Sequence, residues 1–276
     1  VAALELTPRP RPGAVGGVVV LGASNVSRGL ARLVTAVEAA APGGVDLLVA
    51  AGHGRSYGAS SRVGLRRLPS ILRSGLWRAL DRHGFSPEDS AAESAGPLCG
   101  LVTDIGNDLL YGIPVEQTAA WVWEAVRRLA GRRARIAVTR LPLASVARVG
   151  PVRYRALKTF FVPGCPLALP ELKEAAGRLD AAVADIAAEF GATLIDQPGE
   201  WYGIDSLHVR RPRLDVLFRR AVAAWGIEPG PRRPASLARW ARVGSAAAEV
   251  RALAGVVRFR RQPVLALPSG GTLSLY

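Results

Sequence analysis

Five short apolar runs punctuate the chain, at residues 18–21, 46–51, 98–103, 135–139 and 192–196. Each is followed, directly or after a loop, by a stretch whose apolar residues recur at helical spacing. Continuous rather than alternating runs are what strands covered on both faces look like. The first helix places Leu30, Leu33, Val34 and Val37 on one side, with Ser27 as its expected N-cap. Further helices are expected over about 69–83, 115–130, 171–190 and 211–225. A β-then-α alternation of this kind predicts an α/β fold with a five-stranded parallel sheet and helices on both faces. The expected strand order is the flavodoxin-like 2-1-3-4-5. Residues 140–170 have five prolines and no clean period and read as a long irregular segment. The expected main domain is 15–225. Beyond it, 226–276 is an extension of net charge +6 from eight Arg and two Glu. It reads as a helix over about 236–254 and then a hairpin around Pro268 to Gly271.

Open parallel sheets bind ligands at the carboxyl ends of their strands. Four loops at that end carry reactive side chains. The first strand stops at Gly22-Ala23-Ser24, and the second leads into Gly52-His53-Gly54-Arg55. The third runs into Asp104-Ile105-Gly106-Asn107-Asp108, and Asp205 and His208 follow the fifth. A neutral serine needs a base within reach, and that base needs a group to fix its tautomer. His208 is one of three histidines, and Asp205 is three residues before it. Backbone amides near Ser24 and Gly54, and the side chain of Asn107, are suitable donors for a tetrahedral oxyanion.

These four blocks, in this order over about residues 17–225, resemble those of the SGNH (GDSL-like) hydrolases. Gly22-Ala23-Ser24 is similar to the family's first block, with Ser24 at the nucleophile position. Gly54 matches the second, with Gly52 as an alternative. Asn107-Asp108 matches the end of Gly-x-Asn-Asp, and Asp205-Ser206-Leu207-His208 matches Asp-x-x-His. The resemblance implies a three-layer α/β/α fold and hydrolysis of acyl or acetyl esters through an acyl-serine. It implies a Ser24–His208–Asp205 triad, an oxyanion hole from Ser24, Gly54 and Asn107, and no metal or cofactor. Ala23 stands where an aspartate usually precedes the serine, Ile105 replaces the first glycine of the third block, and Gly29 comes one position late. Ala23 and Ile105 carry an alternative reading, a catalytically impaired SGNH-like binding domain.

His53, Arg55, Trp201 and Tyr202 are candidates to line the substrate mouth. Each also reads as an ordinary loop or core residue, as does Arg28. A further rival is a short-chain dehydrogenase, since Gly22-Ala23-Ser24 is similar to the start of that family's nucleotide loop and Tyr154 and Lys158 have its Tyr-x-x-x-Lys spacing. Against it, Val26 and Arg28 stand where the phosphate loop needs glycine, and Ala50 and Ala51 end the second strand without a ribose-binding carboxylate.

The net charge of +14 raises the question of nucleic acid. The basic residues are 34 Arg and 2 Lys, scattered rather than interleaved with aromatics, so a solvated arginine surface is expected and no nucleic-acid partner. The expected partner is a small-molecule, carbohydrate or lipid ester. No apolar run approaches the roughly 18 residues of a membrane span. No signal peptide is read, which makes a cytoplasmic location the expectation. Cys99 and Cys165 lack metal-ligand spacing, and Cys99 reads as a buried free thiol.

Overall fold

The five apolar runs form five mutually parallel strands. The computed structural model describes residues 15–63, 66–85, 96–162, 164–235, 249–251 and 257–276. In chain order its strands are β1 (Gly17–Leu21), β2 (Asp46–Ala50), β3 (Ser61–Val63), β4 (Arg66–Leu68), β5 (Leu98–Val102) and β6 (Arg135–Thr139). They continue with β7 (Thr193–Ile195), β8 (Glu249–Arg251), β9 (Val257–Phe259), β10 (Leu265–Ala266) and β11 (Thr272–Leu275). The helices are α1 (Ser24–Ala40), α2 (Leu76–Arg82), α3 (Asn107–Leu110), α4 (Val115–Ala130), α5 (Leu143–Ala147), α6 (Pro151–Phe161), α7 (Leu169–Glu189) and α8 (Arg211–Ala224).

The central sheet runs β10-β11-β2-β1-β5-β6-β7, so the expected 2-1-3-4-5 order is present within it. Its register levels the carboxyl ends that carry the site. Leu21 lies opposite both Ala50 and Val102, and Thr139 lies opposite Ile195. One face is covered by α1 and α8, which bury Leu33, Val37, Leu214 and Phe218. The other is covered by α2, α4 and α7, through Leu80, Val122, Leu129 and Leu179. Each such leucine or phenylalanine contributes about 1.5–3 kcal/mol on leaving water. The result is a three-layer α/β/α fold. Gly29 belongs to this packing, because a Cβ there would lie 2.7 Å from the Phe218 ring.

The strand count differs from five because the end of the chain joins the sheet. β11 pairs parallel with β2, and β10 closes an antiparallel hairpin onto β11. Asp46 anchors the arrival, accepting from the Thr272 hydroxyl at 2.6 Å and from its amide at 3.1 Å. Leu273 and Tyr276 are buried there. Of the helix expected over 236–254, Glu249–Arg251 is instead strand β8 in a small second sheet, β3-β4-β8-β9. The rest of that range lies outside the described residues.

Three local expectations change. The helix expected from Pro69 begins only at Leu76, since Ser70 caps a separate 3-10 turn at Ile71–Arg73. Residues 140–170 hold α5 and α6, and α6 escapes a periodicity reading because most of it faces solvent. Ser27 is not the cap of α1. It sits inside the helix and donates back to the Ala23 carbonyl at 3.0 Å. Both cysteines are buried free thiols, and burial pushes that of Cys99 up to about 12.

Candidate active site

Ser24 is the first residue of α1 and is buried at the strand-to-helix turn. Gly22 makes the turn possible, because a Cβ there would meet Val26 at 2.5 Å and Thr103 at 2.9 Å. The first amides of a helix need acceptors, and Ala23 has no side-chain oxygen to offer. The acceptor comes from the third loop. Asp104 Oδ2 accepts from the amides of Ala23 at 2.7 Å, Asn25 at 3.0 Å and Val26 at 3.4 Å. Its Oδ1 accepts from Asn25 Nδ2 at 2.7 Å. Asp104 is held in the left-handed region at φ 59°, a conformation that Asp tolerates better than most residues. The Ser24 amide is not among the donors Asp104 takes.

Asn25 joins this turn to the loop after β7. Its Oδ1 accepts from the Val209 amide at 2.9 Å and its Nδ2 donates to the Leu207 carbonyl at 3.3 Å, so it grips the chain on both sides of His208. Within that loop His208 Nδ1 lies 2.8 Å from Asp205 Oδ2. Asp205 Oδ1 accepts from the amides of Leu207 and His208, folding the segment around the carboxylate. Desolvation raises the Asp205 pKa, but the hydrogen bonds and charge of His208 outweigh it and leave the carboxyl below its ordinary value. Arg153, on α6, braces the same loop, its Nε donating to Ile204 O and its Nη2 to Gly203 O and Ser206 Oγ, both at 2.8 Å.

The second loop is fixed from below. Tyr57 donates its hydroxyl to Thr103 O at 2.7 Å and to Leu21 O at 3.2 Å, and its amide reaches Asp108 Oδ2 at 3.0 Å. Gly54 has φ 61°, and its carbonyl accepts from Tyr111 Oη at 3.0 Å. A Cβ on Gly52 would lie 2.4 Å from the Leu68 Cδ1 methyl, so that side chain would have to turn aside. Asn107 opens α3, and its Nδ2 is a buried donor with no hydrogen-bond partner. Such donors are uncommon and call for an explanation. A cavity of about 80 Å³ adjoins it, lined by Asn25, Asn107, Leu109, Leu141, Tyr202 and Leu207 among others.

The expected lining residues divide. His53 is exposed at the mouth; desolvation, then the charges of His208 and Arg28, hold its pKa below the usual value, with Asp104 opposing. Tyr202 lines the cavity and donates to Gln197 Oε1 at 2.6 Å. Arg55 does not face substrate. It is 0% exposed, with its guanidinium on the carbonyls of Pro69, Ala51 and Tyr276, so it pins the second loop to the last strand. Trp201 is likewise a core residue, stacked under Arg220 at 4.7 Å. Asp104, Asn25 and Arg153 had no spacing signal, because each acts across a long sequence separation or from an exposed helix.

The nucleotide-binding rival meets two obstacles. The helix amides that would hold a pyrophosphate already bind the Asp104 carboxylate. Tyr154 donates to Leu167 O at 2.7 Å, and desolvation and Cys165 raise its pKa, away from what a catalytic base requires. Among the described residues no group of three His, Cys, Asp or Glu side chains converges to hold a metal ion, and no helix is long and apolar enough to cross a membrane.

No protein-family model matches the chain, and no curated protein does. Among solved structures, the psychrotrophic esterase EstA of a Pseudoalteromonas species is 16% identical, covering 75% of this chain and 94% of its own, with a TM-score of 0.41. Axe2, an acetylxylan esterase of Geobacillus stearothermophilus, is 12% identical over 81% of this chain and 100% of its own, with a TM-score of 0.46. TesA is 14% identical over 76% and 97%, with a TM-score of 0.41. What this chain does is therefore read from its own residues.

Proposed function

We propose that the protein is an SGNH-type serine hydrolase of carboxylic esters, with Ser24 as nucleophile, His208 as base and Asp205 as its orienting carboxylate. One observation carries this reading. The residue beside Ser24 grips the chain on both sides of His208, while Asp205 holds His208 Nδ1 at 2.8 Å. An Nδ1–H directed at Asp205 puts the lone pair of the neutral ring on Nε2, the tautomer a general base needs.

In this reading Ser24 Oγ attacks the ester carbonyl as His208 takes its proton. The tetrahedral oxyanion is met by the amides of Ser24 and Gly54 and by Asn107 Nδ2, whose lack of a partner suits a donor reserved for charge that develops only in the transition state. Collapse expels the alcohol, which leaves with the proton from His208, and the acyl group stays on Ser24. Water then gives its proton to His208 and attacks the acyl carbon. Collapse returns the proton to Ser24 and releases the acid. No step calls for a metal or a cofactor.

The absence of aspartate at position 23 does not weigh against activity here, because Asp104 supplies the acceptor that Ala23 lacks. Ile105 is a buried core residue beside that carboxylate. The cavity of about 80 Å³ beside Asn107 is lined by Asn25, Tyr202 and Leu207 but by neither Ser24 nor His208. The test is labelling with a fluorophosphonate probe. Wild type should label and Ser24→Ala should not; equal labelling of both, or none of wild type, would refute the assignment.

A further inference from the structure

Five large hydrophobic side chains are exposed among the described residues, and four of them belong to elements that frame the site. Tyr111, 45% exposed, donates to Gly54. Ile204, 85% exposed, lies in the turn just before Asp205 and His208. Val152 and Phe160, 83% and 82% exposed, occupy one stripe of α6, eight residues apart. α6 is not remote from the chemistry: its Arg153 bonds to Gly203, Ile204 and Ser206, so Val152 and Ile204 flank one contact. Single exposed apolar residues are ordinary. Three aliphatic and aromatic side chains, all more than four-fifths exposed around one brace, are not.

The segment that carries α6 has charges of one sign. Residues 141–170 contain no Asp or Glu, but carry Arg148, Arg153, Arg155 and Lys158. Arg155 and Lys158 border an open cleft of about 600 Å³ between α6 and the segment entering α7, with Leu167 and Leu169 on its other wall. The nearest carboxylate in sequence, Glu171, is occupied by the Ala168 amide at 2.6 Å. Past His208 the chain continues with Arg210, Arg211 and Arg213, all exposed, and Arg210 lies beside Gly203. Asp205, the carboxylate between these segments, is engaged by His208.

We propose that this face, formed by α6, the turn at Ile204 and the start of α8, docks the protein on an anionic lipid bilayer. An interfacial helix needs apolar side chains to enter the acyl boundary and cations to meet the headgroups. Val152, Phe160 and Ile204 supply the first, and Arg155, Lys158, Arg210, Arg211 and Arg213 the second. A nucleic-acid backbone would use the cations but give the three apolar side chains no role. Docking in this orientation brings the loop that carries Asp205 and His208 to the surface. It deepens the hydrolase reading, and rests on it, only in assigning as substrate an ester carried on an amphiphile in that surface.

The test is co-sedimentation with vesicles of phosphatidylcholine alone and of phosphatidylcholine mixed equally with phosphatidylglycerol, using the full chain. Wild type and Ser24→Ala should both bind the mixed vesicles and not the neutral ones, which separates docking from catalysis. Val152→Asp with Phe160→Asp, and separately Arg155→Gln with Lys158→Gln, should weaken binding by about tenfold or more. Both double variants should keep the wild-type melting curve and turnover of a water-soluble ester. Absence of binding to the mixed vesicles, or double variants that bind like wild type, would overturn the proposal. So would wild type that is a dimer, that binds no vesicles, and that the aspartate variant converts to monomer. Tight binding to a DNA duplex without binding to vesicles would overturn it in favour of a polyanion site.

Discussion

Replacing Asp104 tests how the turn at Ser24 is held. Its carboxylate takes three main-chain amides and one side-chain amide, two of them at 2.7 Å. Hydrogen bonds to a charged group each stabilise by about 1.5–3 kcal/mol, and the 3.4 Å contact with Val26 adds little. Since the four share one group and are not additive, Asp104→Ala should lower stability by about 3–5 kcal/mol. Asp104→Asn is more informative. Its oxygen can still face the amides of Ala23 and Asn25, but its NH₂ then meets Asn25 Nδ2, donor against donor. Asn25 cannot flip to relieve this without losing the bond from the Val209 amide to its Oδ1 at 2.9 Å. The expected cost is about 1–3 kcal/mol, with kcat/KM lower by about tenfold or more because both Ser24 and His208 lose their common brace. Urea unfolding and steady-state turnover of a soluble ester measure the two effects. Asp104→Asn within about 0.5 kcal/mol of wild type and fully active would refute the reasoning.

Asn107→Ala should lower kcat by about 10²–10³ while leaving stability within about 0.5 kcal/mol, because the amide it removes has no partner to lose; an equal loss of both would make Asn107 a structural residue. Desolvation raises the Asp46 carboxyl, but its bonds to His83 and Thr272 hold it below the ordinary value. Its stabilising contribution is thus complete above the unfolded pKa of about 3.9 and is lost as pH falls through the lower folded value. Protection of the β10–β11 amides, taken relative to intrinsic exchange at each pH, should therefore fall in acid in wild type, and Asp46→Asn should flatten that dependence; an unchanged acid limb would contradict it.

The five strands were legible because both of their faces are covered, which leaves a continuous apolar run too short for a buried helix and bounded by turn residues. α6 was not, since an exposed helix needs no apolar stripe. The hairpin at residues 265–275 could be read locally, but nothing local says that β11 pairs with β2, more than 200 residues away. In the site, Ser24, Asp205, His208 and Asn107 stood out by residue type and position after a strand. Asp104 did not, because its role as a cap for α1 spans about 80 residues and leaves no spacing pattern. Arg55 misled for the opposite reason. An arginine beside a glycine loop is expected to face solvent, and here three main-chain carbonyls compensate its burial.

The central claim is that an acyl group is carried on Ser24. Rapid mixing with a chromogenic acetate ester, followed by acid quench and peptide mapping, tests it directly. A burst of alcohol matching the enzyme concentration, with one acetyl group on the peptide containing Ser24, is the expected result. Turnover that persists in Ser24→Ala, or an acetyl group found elsewhere, would contradict it.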